Sequence, residues 1–347
     1  MPPLRTLLAV PVSLALLALA PVASSAPSAP PANALLPLLV TQGGAPAAAL
    51  LAREQSGTRY AEAGPGIARA DHFRAGSITK TFIATVVLQL AAEHRLKLSD
   101  TVEEHLPGLV RGAGNDGRAL TLRALLTHTS GLNDFTAYTL GQVPLTPLQA
   151  VRIALTHPPA TPGRYSYSNT NYVLLGMVIR QITGRSYATE AEQRIIAPLH
   201  LTGTSFPGSR TSLPSPHGRA YTAEGTDVTA LDPRVAGAAG ELVTTLADLD
   251  HFYAGLLGGR LLSPYWLHEM TDTRTTHGRY GMGLFPVKLP CGTTVWGHNG
   301  RITGSYVRTA ATVDGRRVLT FRVNTTAVTD SDLEPALLAA EFCPRTS

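Results

Sequence analysis

Along residues 77–94, apolar side chains recur at spacings of three and four: Phe82, Ile83, Val86, Val87 and Leu90. That spacing predicts an amphipathic helix, assigned here to 77–94. A second apolar run, YVLLGMVIRQITG, follows Asn171 and predicts another helix, after a turn at Pro162-Gly163. Two more helices are predicted, around 246–258 and over SDLEPALLAAEF near the C-terminus. From Tyr280 to Thr325 the segments are strand-like, and Asp314-Gly315 marks a tight hairpin before RRVLTFRVN. Residues 38–70 predict a helix and then strands that turn at Gly57. Residues 27–37 are rich in Ala and Pro and are expected to be mobile. The stretch 101–235 is dominated by helix patterns, and no internal repeat is present.

Composition narrows the picture. A chain of 347 residues with 15% charged and 44% hydrophobic residues is globular and large enough for one large or two smaller domains. The net charge of +5 comes without a basic run interleaved with aromatics and without a zinc-finger pattern, so no nucleic-acid partner is expected. Arg5, the apolar run Leu7 to Ala20 and the small residues Ala23-Ser24-Ser25-Ala26 form a signal-peptide pattern, with the mature start between 24 and 34. No second apolar run reaches membrane length, so a secreted protein without an integral membrane segment is expected. In an exported chain the two cysteines, Cys291 and Cys343, read as a disulfide tying the strand before His298 to the last helix.

Only three of the 29 basic residues are lysines: Lys80, Lys97 and Lys288. Where a plain positive charge suffices, this chain uses Arg. Arg cannot deprotonate in a protein, whereas a desolvated Lys can. Lys80 stands three residues after Ser77, in Ser77-Ile78-Thr79-Lys80 at the start of the first helix, so both lie on one face. The partial positive charge at a helix start favours negative charge developing on the Ser oxygen. S-x-x-K alone also fits a capping Ser and a solvated Lys. Two further constellations alter that balance: Tyr167-Ser168-Asn169 on a loop before a helix, and His298-Asn299-Gly300 on a strand. Each alone would be a cap, a turn or a structural His.

In this order and at these separations, S-x-x-K, Y-S-N and H-x-G resemble the serine β-lactamase and penicillin-binding protein superfamily. The nearest likeness is to secreted D-alanyl-D-alanine carboxypeptidases of actinobacteria and their class C β-lactamase and esterase relatives. Supporting stretches are LTLRALLTHTSGL (120–132), YSYSNTNYVLLGMVIRQITG (165–184) and AGELVTTLADLDHFYAGLLGG (239–259). The resemblance runs from about residue 35 to the C-terminus. It implies an α+β fold, an antiparallel sheet flanked by terminal helices with an inserted, mostly helical subdomain. The corresponding division is a signal peptide and mobile start at 1–30, a sheet subdomain from 31–100 plus 236–347, and a helical subdomain at 101–235.

The resemblance also implies roles. Ser77 would form an acyl-enzyme, with Lys80 and Tyr167 sharing the base and proton-transfer work. Lys80 and His298 would favour the Tyr167 phenolate. Asn169 would orient Lys80 and the substrate amide, and His298, Asn299, Gly300 and Arg301 would line the substrate site. The oxyanion hole would be the backbone N–H groups of Ser77 and Arg301. No metal or other cofactor is implied, and a monomer is expected. His128 is read as structural. Two departures bear on substrate: Asn299 stands where relatives often have Thr or Ser, and Phe285 where carboxypeptidase relatives can carry an Arg. Both weaken recognition of a free C-terminal carboxylate unless Arg301 supplies the charge. The expected activity is a secreted serine D-Ala-D-Ala carboxypeptidase acting on peptidoglycan stem peptides and acylated by β-lactams. A β-lactamase, esterase or D-aminopeptidase on the same fold is the alternative. A non-hydrolytic sensor of β-lactams or peptidoglycan is a third reading, disfavoured by the intact Ser77, Lys80 and Tyr167.

Overall fold

The computed structural model describes residues 31–344. The signal-peptide pattern lies outside the described residues. In chain order the described strands are β1 (Ala48–Glu54), β2 (Gly57–Ala63), β3 (Phe73–Arg74), β4 (Arg111–Gly112), β5 (Asn115–Asp116), β6 (Val243–Thr244), β7 (Phe285–Lys288), β8 (Thr294–Ile302), β9 (Ser305–Thr312) and β10 (Val318–Val323). Six of them form one antiparallel sheet in the order β2-β1-β10-β9-β8-β7, and β3 with β6 and β4 with β5 form small ribbons. The sheet therefore draws on two segments far apart in sequence, 48–63 and 285–323. No strand between 101 and 235 joins it.

Sequence pattern explains the layering. The inner strand β10 is buried throughout, whereas the edge strand β2 is exposed or half-buried along its whole length. One face of the sheet is covered by the terminal helices: Ala32 and Leu36 pack with Leu337, Leu338 and Phe342 over Leu50, Leu319 and Phe321. The expectation of a mobile start over 27–37 thus fails in its described part. Residues Ala32–Leu35 are helical, and Ala32 is fully buried because it fills this layer. The other face carries the helix Leu246–Leu257, and beyond it lies the helix Thr79–Ala92. The Phe82 ring stacks on Phe252 with centroids 3.8 Å apart, joining these two helices. The core continues into the helices Leu122–Leu126, Pro147–Leu155 and Asn169–Thr183 as one apolar cluster.

This placement corrects the amphipathic reading of 77–94. A short 3-10 turn covers Gly76–Ile78, and the α-helix begins at Thr79 and ends at Ala92. All of its residues except Gln89 and Ala92 are buried. A helix wrapped on every side is buried all round, and its polar residues must find partners inside. Thr81 accordingly donates to the Gly283 carbonyl at 2.6 Å.

Cys291, in the turn between β7 and β8, is bonded to Cys343 at the end of the helix Leu333–Phe342. Among the described residues no helix is long and apolar enough to cross a membrane.

Candidate active site

Ser77 sits on the 3-10 turn Gly76–Ile78, which leads directly into the helix carrying Lys80. The turn is pinned from both sides. Thr79 Oγ1 donates to the Gly76 carbonyl at 2.7 Å and accepts from the Leu242 N–H at 3.1 Å. Gly76 has φ of +51°, a left-handed conformation that side chains disfavour, and a Cβ there would lie 2.7 Å from the Arg301 backbone N. A Cβ on Gly300 would overlap the Ala75 carbonyl oxygen at 1.8 Å. Both positions let β8 run against the turn, bringing the Arg301 backbone N beside the nucleophile turn.

Lys80 is fully buried. Its Nζ lies 3.0 Å from Ser77 Oγ, 2.7 Å from Asn169 Oδ1 and 2.7 Å from the Ala239 carbonyl. Burial disfavours the ammonium and brings its pKa down to about 7, although the Asp134 carboxylate pulls the other way. A neutral amine has two N–H groups and one lone pair. Asn169 Oδ1 and the Ala239 oxygen accept both hydrogens, and the lone pair is left for the Ser77 hydroxyl. The arrangement is that of a base already turned towards a nucleophile.

Tyr167 lies on the loop before the Asn169–Thr183 helix, with Lys80 Nζ 4.9 Å from its ring centroid. Burial raises its pKa, and a hydrogen bond with Ser77 only partly opposes this, so the phenol stays protonated. The expected phenolate is therefore corrected. His298 cannot favour it either: burial drives the imidazole down to about 3, so the ring carries no charge. His298 Nδ1 donates to the Asn299 carbonyl, and Nε2 accepts from the Tyr280 hydroxyl at 2.8 Å. With both nitrogens engaged and the ring 1% exposed, His298 is a wall of the site rather than a substrate contact.

Asn299 is corrected in the same way. It shares a face of the sheet with its cross-strand neighbour Arg308, and its Nδ2 points to the Tyr306 hydroxyl at 3.5 Å. Tyr306 in turn donates to Glu334 of the C-terminal helix, on the far side of the sheet. Gly300 acts through close packing. Arg301 is exposed, lines the same cleft of about 370 Å³ as Ser77 and Asn169, and has no acidic partner among the described residues. Phe285 packs on His298 and Tyr280 at 5.3 and 6.2 Å between centroids, beneath the buried Arg308.

Asn169 opens its helix and orients Lys80, but its Nδ2 is taken by Asp134 Oδ2 at 2.9 Å and Thr136 Oγ1 at 3.1 Å. Those donors are not free for a substrate amide, contrary to expectation. Asp134, Thr136 and the Ala239 carbonyl were not identified from the sequence. Asp134 stands two residues past LTLRALLTHTSGL, and no feature of that stretch marked it. His128 is buried, and its Nδ1 accepts from the Ser168 N–H at 3.2 Å and Asn171 Nδ2 at 3.1 Å. Its ring also packs on Tyr167 at 4.2 Å, so it braces the tyrosine loop.

Comparison with known proteins agrees with this geometry. The D-stereospecific amidohydrolase from Streptomyces sp. superposes with a TM-score of 0.83 at 42% identity, covering 90% of this chain and 98% of that one. The D-amino acid amidase from Ochrobactrum anthropi SV3, in complex with L-phenylalanine, gives a TM-score of 0.79 at 26% identity, over 89% and 96% of the two chains. PbpX of Bacillus subtilis (strain 168) is 31% identical over 217 residues, 61% of this chain. The chain spans 53% of the length of PbpX and about 30% of the protein flp of Staphylococcus aureus. A family model described as Beta-lactamase matches residues 32–341. The chain therefore belongs to the beta-lactamase family, within the β-lactamase/transpeptidase-like superfamily of serine hydrolases.

Proposed function

We propose that the protein is a secreted D-stereospecific amidohydrolase that cleaves an amide or ester bond on the carbonyl side of a D-residue through a Ser77 acyl-enzyme. The observation that carries the chemistry is the Lys80 contact set: two acceptors for its hydrogens and a serine hydroxyl for its lone pair. The substrate class is supported by the 42% identity to the Streptomyces enzyme over nearly all of both chains. Asn299, turned away from the cleft, and Phe285 in place of a cation fit substrates without a free C-terminal carboxylate.

Lys80 takes the Ser77 proton as Oγ bonds to the substrate carbonyl carbon. The oxyanion that forms is held by the backbone N–H groups of Ser77 and Arg301. Collapse breaks the C–N or C–O bond. The leaving group receives a proton from the Lys80 ammonium through the Tyr167 hydroxyl, which is protonated and suited to pass it on. Water then attacks the ester, its proton returns along the same route, and the D-acid leaves with Ser77 restored.

Arg301 favours a second reading, release of C-terminal D-Ala from peptidoglycan stem peptides, because it is exposed, lines the cleft and has no acidic partner among the described residues, so that its guanidinium, which lies over the Tyr306 ring at 5.9 Å, is available to a carboxylate. Benzylpenicillin carries a free carboxylate, so stable covalent labelling of Ser77 by it favours the carboxypeptidase, and absence of an adduct favours the amidohydrolase. Comparing D-phenylalanine amide, L-phenylalanine amide and a diacetyl-L-Lys-D-Ala-D-Ala peptide separates them. The amidohydrolase reading expects the D-amide to be turned over far faster than the other two. Preferred release of D-Ala from the peptide would replace it with the carboxypeptidase.

A further inference from the structure

Asp134 takes no part in the reaction scheme, yet it lies behind the group that holds Lys80. Its Oδ1 accepts from the Thr136 N–H at 3.0 Å and the Thr136 hydroxyl at 2.8 Å, and its Oδ2 accepts from Asn169 Nδ2 at 2.9 Å. It has no Lys, Arg or His within ion-pair distance among the described residues. A carboxylate can only accept, whereas an amide has one donor end and one acceptor end. Facing Asp134, Asn169 must present its NH2, so its carbonyl oxygen must face Lys80. If the amide turned over, its NH2 would compete with the Ser77 hydroxyl for the Lys80 lone pair. We propose that Asp134 is a positioning residue: it fixes the rotation of the Asn169 amide and so aims the Lys80 lone pair at Ser77. The proposal rests on the reading of Lys80 as the base. It parallels the way a buried Asp fixes the orientation of a catalytic His.

The groups facing Lys80 leave this role to Asp134. Tyr167 and Tyr172 are kept protonated by burial, and His128 and His298 are kept neutral by it. Among these neighbours Asp134 is the charged one, and its field favours the Lys80 ammonium.

The test is Asp134→Asn, with D-phenylalanine amide as the probe. An asparagine there keeps its carbonyl for the Thr136 N–H and turns its NH2 towards Asn169, so the Asn169 NH2 loses its acceptor and the amide is no longer held with its carbonyl on Lys80. The expected loss is on the order of 10- to 100-fold, mainly in kcat, as for a misaligned catalytic group. The acid limb of the pH profile should move to lower pH, because the anion that favours the ammonium is gone. The swap Asp134→Asn with Asn169→Asp returns an acceptor to Lys80 and a donor opposite it. It should recover on the order of 10-fold over the single variant, with the limb moved to higher pH because the anion now touches Lys80. A single variant with unchanged kcat and an unmoved limb would overturn the proposal, as would a folded swap no better than the single variant. If the single variant does not fold, the swap, which restores a donor facing an acceptor between positions 134 and 169, carries the test. Lys80→Arg run alongside separates the two claims. Activity retained there removes the base reading itself, whereas activity lost there but kept in Asp134→Asn removes only the role of Asp134.

Discussion

Lys80 shows how much of this site a few side chains declare. The sequence uses Arg almost everywhere else, and a fully buried amine whose pKa is held at about 7 is the physical reason Arg would not serve at this position. Because a base must be unprotonated, kcat/KM should fall as pH drops through about 7 and level off above it. Glu241 also titrates at about 7, raised by burial despite the Tyr187 hydroxyl at 2.7 Å, and stands two residues from the Ala239 carbonyl that holds Lys80. Glu241→Gln should leave the acid limb where it is; a limb that moves or vanishes in that variant would belong to Glu241. Lys80→Arg keeps the charge but removes the base, and should lower kcat on the order of 10²- to 10⁴-fold, read in a steady-state amide assay. What the sequence did not declare at this scale were partners fixed by folding. Asp134 reaches Asn169, and the Ala239 carbonyl reaches Lys80, only because a loop and a 3-10 turn close over the site. His298 and Asn299 were assigned from motif position, but burial makes His298 a wall of the site and strand alternation turns Asn299 to the other face.

Among the elements, the strand β8 and the turn Gly76–Ile78 make the site by touching. Gly300 is where they touch, since any Cβ would meet the Ala75 oxygen. Gly300→Ala should force them apart and separate the Arg301 N–H from Ser77. We expect a loss of about 1–3 kcal/mol of stability, as for other overpacked sites, with a slower acylation step. Denaturant unfolding together with the rate of Ser77 acylation by D-phenylalanine methyl ester checks both; an unchanged rate would mean the strand does not shape the oxyanion site. Elements with strong local signals were legible: the helix 246–257, the Asp314-Gly315 hairpin and the C-terminal helix fall where periodicity and turn chemistry put them. The helix Thr79–Ala92 was found but misjudged as half-exposed. Its polar positions, such as Thr81 and Thr85, are paired inside the protein, which no periodicity count can foresee.

For the molecule as a whole, the antiparallel sheet was legible through the resemblance carried by three motifs rather than through pattern alone. Strands at 48–63 and 285–323 meet only in the folded chain, and local sequence carries no record of that pairing. The Cys291–Cys343 bond closes a sequence separation of 52 residues and ties the β7–β8 turn to the C-terminal helix, one edge of the layer that covers the sheet. Chain-entropy reasoning gives it about 4 kcal/mol. Replacing both cysteines with serine should lower unfolding free energy by an amount of that order while leaving Ser77 reactivity in the folded fraction intact; equal stability would show the link is not structural. The central claim is that Ser77 carries a D-acyl group during turnover. Its most direct test is intact-mass and peptide-level mass spectrometry on protein quenched within seconds of mixing with D- or L-phenylalanine methyl ester. We predict a transient phenylalanyl adduct on the Ser77 peptide from the D-ester, absent in Ser77→Ala and far weaker from the L-ester. Hydrolysis of the D-ester that persists in Ser77→Ala, or an adduct formed equally from both enantiomers, would contradict the account.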